Sequence, residues 1–177
     1  MIINYKIYLN IFIAIIISLL SSSCNGSYEP INKSLWVSNQ KDPTLSGDGK
    51  KIALIIDRNG NSNVQLRQLS NDSILPLRHL VKYRRHSSPS LSWSGRYLAL
   101  IAERNRRTFI VIEDSMRGKY YELNLPGYRI PDRISLSQSA NQLAIQFNIN
   151  GRSRIQMFDL SMTLEPDLRN SIFNKIQ

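Results

Sequence analysis

Cysteine occurs once in this chain, at Cys24, so no intrachain disulfide can form and no cysteine pair can hold a metal ion. Histidine occurs twice, at His79 and His86. With so few nitrogen and sulfur ligands a structural zinc site is not expected, and no residue pattern asks for a cofactor. Carboxylates are scarce too: 13 Asp and Glu stand against 23 Lys and Arg, for a formal net charge of +10. A surplus of that sign favours anionic partners, whether nucleic acid, lipid headgroups or acidic protein surfaces. The cations do not gather into one stripe, however, so a solvated basic surface is the plainest reading. Long apolar runs are nearly absent. The one exception lies near the start.

That run is Ile11-Phe-Ile-Ala-Ile-Ile-Ile-Ser-Leu-Leu20, preceded by Lys6 and followed by Ser21, Ser22, Ser23 and Cys24. A cationic start, a short apolar core and small residues at the exit describe a secretory signal over residues 1–23. The core is short of the roughly 20 apolar residues of a spanning helix. The sole cysteine follows it directly. This resembles the lipobox of bacterial lipoproteins, which implies a lipid on Cys24. Ser23 fits the small position before the cysteine. Ser21 stands where the lipobox usually has leucine, and Leu20 lies one place too early. Ordinary cleavage near Ser23 and an uncleaved anchor are the alternatives. Residues 24–33, with Gly26, Ser27 and Pro30, read as a polar tether.

The remainder, residues 34–177, is organised by a repeat of about 45 residues. Leu45, Leu91 and Leu136 mark the three copies and are spaced by 46 and 45 residues. Each leucine is followed by serine (Ser46, Ser92, Ser137), then two places on by Asp48, Ser94 or Ser139, then by Gly49, Gly95 or Ala140. An apolar run containing Ala53, Ala99 or Ala144 comes next. Asn59-Gly60, Asn105-Arg106 and Asn150-Gly151 recur at matching places, the signature of a tight hairpin. Another apolar run follows each. One copy therefore reads as strand, turn, strand, hairpin, strand. Ile74–Leu80 and Lys119–Leu125 are candidates for a fourth strand. Small alanines at one place predict close packing of neighbouring sheets. Four strands per repeat is the arithmetic of a β-propeller blade, with blades near 40–80, 86–126 and 131–165. The expected class is all-β, a partial propeller; a β-sandwich of hairpins is the alternative.

The copies resemble the propeller repeat of the TolB family of periplasmic proteins, Pro-x-Trp-Ser-Pro-Asp-Gly-x-x-Ile/Leu-Ala-Phe. Pro43, Ser46, Asp48, Gly49, Ile52 and Ala53 match in the first copy. Pro89, Ser92, Gly95, Leu98 and Ala99 match in the second, and Ser137, Leu143 and Ala144 in the third. The resemblance implies a periplasmic protein of the cell envelope that binds another protein; with the lipobox-like Cys24 it reads as membrane-anchored, a secreted or soluble periplasmic protein being the alternative, and no enzyme activity is expected. Two departures matter. TolB proteins carry an α/β domain before the propeller, and they have about six blades, against three copies here. An arc of three leaves two open ends. A structural half-propeller that completes a ring with a second copy or a partner is one alternative, and an accessory domain of a hydrolase system another. Ser34–Ser38 and the tail from Thr163, with Ile172, Phe173 and Ile176 at helical spacing, are candidate caps.

Five arginines are the candidate partner contacts: Arg84 and Arg85 in a dense basic stretch, and Arg104, Arg106 and Arg107 around the second hairpin. They suit an acidic envelope protein or a headgroup; nucleic acid is not expected of an exported chain. Ser46, Asp48, Gly49, Ser92, Ser94, Gly95, Ser137 and Ser139 read as structural turn residues. The run Ser92-Trp93-Ser94-Gly95 lacks the glycine two places before a nucleophilic serine and recurs as repeat grammar, so no catalytic residue is assigned. Tyr120, Tyr121 and Tyr128 read as packing residues rather than an aromatic binding surface.

Overall fold

The computed structural model describes residues 39–168, apart from 124 and 126–128. Cys24, the signal and tether segments, Ser34–Ser38, Tyr128 and the Ile172–Ile176 helix expectation lie outside the described residues.

The described chain is nearly all strand and forms three antiparallel sheets in sequence order. The first holds β1 (Asn39–Leu45), β2 (Lys51–Arg58), β3 (Asn61–Gln68) and β4 (Ile74–Leu75). The second holds β5 (Arg84–Leu91), β6 (Tyr97–Arg104), β7 (Arg107–Asp114) and β8 (Lys119–Leu123). The third holds β9 (Ile130–Leu136), β10 (Gln142–Ile149) and β11 (Arg152–Asp159). Each sheet is an up-and-down meander, and β1, β5 and β9 are its first strands. These three strands pack on one another, so the sheets succeed each other as blades around an axis rather than facing off as a sandwich. The fourth strands are shorter than the sequence suggested, and β4 is only two residues long. The third sheet has no fourth strand among the described residues.

The middle strand of each blade carries the packing. In β6 the alternate residues Leu98, Leu100 and Ala102 join Ala53, Leu66 and Leu80 in the core between blades one and two. Tyr97, Ala99 and Ile101 face the other way, onto Leu143, Ile145 and Phe147 of blade three. A strand buried on both faces needs an unbroken apolar run, which is what Tyr97–Ala102 supplies. Truncating Leu98 or Leu100 to alanine would cost about 2–5 kcal/mol by the usual cavity penalty. Ala53 and Ala99 are fully buried at the blade contacts; Ala144, at the same place in blade three, is only half-buried.

One turn closes the first two strands of every blade. The repeat serine hydroxyl accepts the backbone N–H five residues on: Lys51 to Ser46 at 2.9 Å, Tyr97 to Ser92 at 3.0 Å and Gln142 to Ser137 at 3.0 Å. Gly49, Gly95 and Ala140 sit in the left-handed region at φ 68°, 64° and 62°. The turns of successive blades are laced together, with Asp48 N–H on Trp93 O at 2.9 Å and Trp93 N–H on Gln138 O at 2.8 Å. Gly47 has to be small, because a Cβ there would lie 1.7 Å from Gln138 Oε1 and 2.5 Å from the Trp93 ring.

The same serine also donates to an acid or amide, and each blade fills that seat differently. In blade one it is the local Asp48, 2.7 Å from Ser46 Oγ. In blade three it is Asn141, 2.9 Å from Ser137 Oγ. In blade two the local residue is Ser94, which has no carboxylate. Asp167 from the C-terminal segment takes the seat, accepting from Ser92 Oγ at 2.5 Å and from Ser94 N–H and Oγ at 2.8 Å each. Leu160 and Leu164 anchor that segment in the core between blades two and three.

Candidate functional site

The turns of the serines lie at one end of the blades. The hairpins Asn59-Gly60, Asn105-Arg106 and Asn150-Gly151 lie at the other. At that end of blade two, β5 begins at Arg84, β6 ends at Arg104 and β7 begins at Arg107. Arg84 stands opposite Glu103 in the β5–β6 register and Arg104 opposite Arg107 across the hairpin. All five predicted arginines are thus brought to one end of one blade.

They are not equivalent. Arg104 is half-buried between the rings of Tyr83 and Phe109, 5.1 and 4.8 Å from their centroids. Its guanidinium donates to Glu122 Oε1 at 3.0 Å, and the Tyr83 hydroxyl donates to the other oxygen of Glu122. Burial and then the Glu122 carboxylate push the Tyr83 phenol well above its ordinary pKa. Arg104 is therefore held in place and anchors the base of the cluster. Arg85 lies 3.9 Å from Glu103. Arg84, Arg106 and Arg107 are exposed, and among the described residues no carboxylate pairs with them.

Two of these arginines occupy strained backbone. Arg85 has φ 49° and Arg106 has φ 61°. Asn105 and Arg106 are both left-handed, the two-residue turn that suits a twisted hairpin. The sister hairpins put Gly60 and Gly151 at the second position, where glycine is free of strain. A long cationic side chain there costs backbone energy and makes no hydrogen bond, ion pair or ring contact among the described residues. Breaches of local preference of this kind concentrate at functional positions.

A second feature lies on the first strands of the blades. A cavity of 250 Å³ is lined by Asp42, Pro43, Ser87, Ser88, Pro89, Asp132, Arg133 and Ile134. Asp42, Ser88 and Arg133 each lie three residues before a marker leucine, so the cavity is built from equivalent places in the three repeats. Asp42 and Ser88 are left-handed there, at φ 51° and 48°, beside bulges in β1 and β5. Ser88 Oγ is engaged by the Ile134 N–H at 2.9 Å, and the two histidines lie elsewhere. The cavity is lined by polar and charged side chains, but it pairs no serine with a histidine base. Among the described residues no group of His, Cys, Asp and Glu is arranged to hold a metal ion.

The histidines have separate roles. His86 is buried where β5 meets blade one, and its Nδ1 accepts the Val64 N–H at 3.0 Å. Burial drives its pKa down to about 4, against a smaller upward push from the Leu80 and Tyr83 carbonyls. His79 meets the buried Glu113 at 3.0 Å and stacks on Tyr120. Sequence reasoning assigned neither contact. Both join segments more than twenty residues apart and left no local signal.

No known family profile matches the sequence, and no curated protein matches it either. Solved structures do match in fold. TolB from Acinetobacter baumannii aligns over 71% of this chain and 31% of its own, at 18% identity and a TM-score of 0.52. A protein of Agrobacterium tumefaciens assigned as TolB aligns over 72% of this chain and 46% of its own, at 18% identity and a TM-score of 0.55. The β-propeller domain of the Trilobed protease from Pyrococcus furiosus, described as having an open velcro topology, aligns over 73% of this chain and 41% of its own, at 14% identity and a TM-score of 0.54. The chain thus spans less than half the length of each of these proteins. At such identities the likeness concerns the fold: the three sheets are blades of a TolB-like β-propeller, set as an open, partial one.

Proposed function

We propose that this chain is a non-catalytic protein-interaction module of the bacterial cell envelope, exported by residues 1–23 and held at the membrane by a lipid on Cys24. In this reading the periplasmic arc of blades presents the arginine end of blade two to an acidic surface on an envelope protein. The observation that carries it is Arg106. It keeps an exposed charge in a left-handed turn position that the sister hairpins give to glycine, beside Arg84 and Arg107, which have no carboxylate partner among the described residues. The TolB-like fold supports an envelope address but names no partner.

Affinity capture of the intact protein from solubilised membranes, read by mass spectrometry, tests the proposal. A specific partner should be retained by the parent chain and lost from an Arg84→Glu/Arg106→Glu/Arg107→Glu variant. Equal recovery with both chains would remove the arginines from the account.

A second reading, a half-propeller subunit completed by another copy or another protein, is favoured by blade three. Ile155 and Met157 are 71% and 59% exposed there, whereas Ile110 and Ile112, at the same places in blade two, are fully buried. Yet Gln142 and Gln146 stand where blade two has Tyr97 and Ile101. A polar outer face is what a terminal repeat needs. We therefore rank ring completion second.

A further inference from the structure

We propose that the free edge of β11 is a strand-addition site for an extended peptide in which apolar and acidic residues alternate. In blades one and two the third strand is paired on both sides, by β2 and β4 and by β6 and β8. In blade three β11 pairs with β10 alone among the described residues. The Leu160 N–H bonds to Asn141 O at 2.8 Å at the end of this pair. Because antiparallel pairing alternates, the N–H and C=O of Ser153, Ile155, Met157 and Asp159 then point away from β10. In blade two the corresponding Ile110, Ile112 and Asp114 are where β8 joins, opposite Leu123, Tyr121 and Lys119. Among the described residues the chain does not turn back along β11 as it does along β7. Residues 160–168 leave the edge, and Asp167 is spent on Ser92 and Ser94.

The side chains on the edge define the guest. One face of β11 carries Ile155 and Met157, both exposed. The other carries Arg152 and Arg154, exposed and without a carboxylate partner among the described residues. An added strand places successive residues on opposite faces. Those beside Ile155 and Met157 gain from being apolar, and those beside the arginines from being acidic. Blade two shows the same solution within the chain. Its β8 reads Tyr121-Glu122-Leu123, with Tyr121 and Leu123 opposite Ile112 and Ile110 and Glu122 reaching Arg104. A depression of 350 Å³ lined by Ile149, Asn150, Arg152 and Arg154 lies on the arginine face, with room for a carboxylate side chain. The chain's own residues 169–177 contain Arg169 and Lys175 and no acidic side chain, so they are poorly matched to this face. A segment of another protein that supplies those acidic residues is the proposed guest.

The full-length chain in detergent can be titrated with a fluorescent seven-residue peptide alternating valine and glutamate, its ends blocked. Binding should saturate below about 1 mM and weaken at least about tenfold on Arg152→Glu/Arg154→Glu substitution, with the circular dichroism unchanged. Lysine in place of glutamate, or N-methylation of alternate amides, should abolish it. Added peptide should also slow hydrogen exchange at the Ser153, Ile155 and Met157 amides. The proposal fails if no binding is seen, if the lysine or N-methylated peptide binds as well, or if the Ser153, Ile155 and Met157 amides are already protected without peptide. In that last case, loss of the protection on removal of residues 169–177 would identify the chain's own tail as the occupant.

Discussion

Arg106 is where stability and function part company in this molecule. In a left-handed position an ordinary L-residue is strained by roughly 1–2 kcal/mol, while glycine pays only in chain entropy. Arg106→Gly should therefore stabilise the fold by roughly 0.5–1 kcal/mol in chemical denaturation while weakening capture of the partner. A loss of stability with unchanged capture would place Arg106 in the packing instead. His86 makes a different prediction. Its pKa is about 4 in the fold and near 6.5 when exposed. The unfolded chain thus binds a proton in that interval that the folded chain refuses. The resulting stability is present above pH 6.5 and is lost as the pH falls towards 4, at up to about 1.4 kcal/mol per pH unit. Denaturation midpoints at pH 7 and pH 5 should show the loss, and His86→Phe should flatten the slope over that interval. Asp114 acts lower on the scale. Burial pushes its pKa up, but hydrogen bonds from Arg96 and from the Met116 and Arg117 amides outweigh burial and leave it depressed. Its contribution holds above about pH 4 and disappears in stronger acid.

The turn after the first strand of each blade is the element most plainly written in the sequence. Leucine, serine, the residue two places on and a left-handed glycine or alanine recur because one hydrogen-bonded shape is built three times. The seat opposite the serine was only partly legible. Asp48 sits within its own repeat, but the acceptor for blade two comes from Asp167, more than seventy residues away. No local pattern announces such a loan; the absence of a carboxylate at Ser94 was its only trace. Asp167→Ala should cost about 1–3 kcal/mol, since it strands the Ser92 hydroxyl and the Ser94 amide. Adding Ser94→Asp to that variant should restore part of the loss by copying blade one. If the double variant is no more stable than Asp167→Ala alone, the seats are not interchangeable. The polar outer face of blade three was legible in another way. Gln142 and Gln146 replace apolar residues of the sister strand, but the change becomes meaningful only when the faces are assigned. Arg104 was visible as a charge and not as an anchor, because its partners Tyr83, Phe109 and Glu122 come from three other segments.

At the scale of the whole molecule, the three blades have two distinct ends. At the turn end several charges are paired internally: Arg96 takes Asp114 and Glu165, Arg117 takes Glu165, and Asp48 and Asp167 serve the turns. The hairpin end keeps Arg84, Arg106 and Arg107 free of carboxylate partners among the described residues. A basic rim of this kind steers an acidic partner at low ionic strength and loses its reach as salt shortens the screening length to about 8 Å. The central claim is that this rim, and not the turn end, meets the partner. A photoreactive residue can be placed in the cell-made protein at Arg106, on the rim, or at Lys119, which is exposed at the turn end. The account predicts that irradiation links one discrete partner from position 106 and none from 119. A discrete product from 119 alone would contradict it.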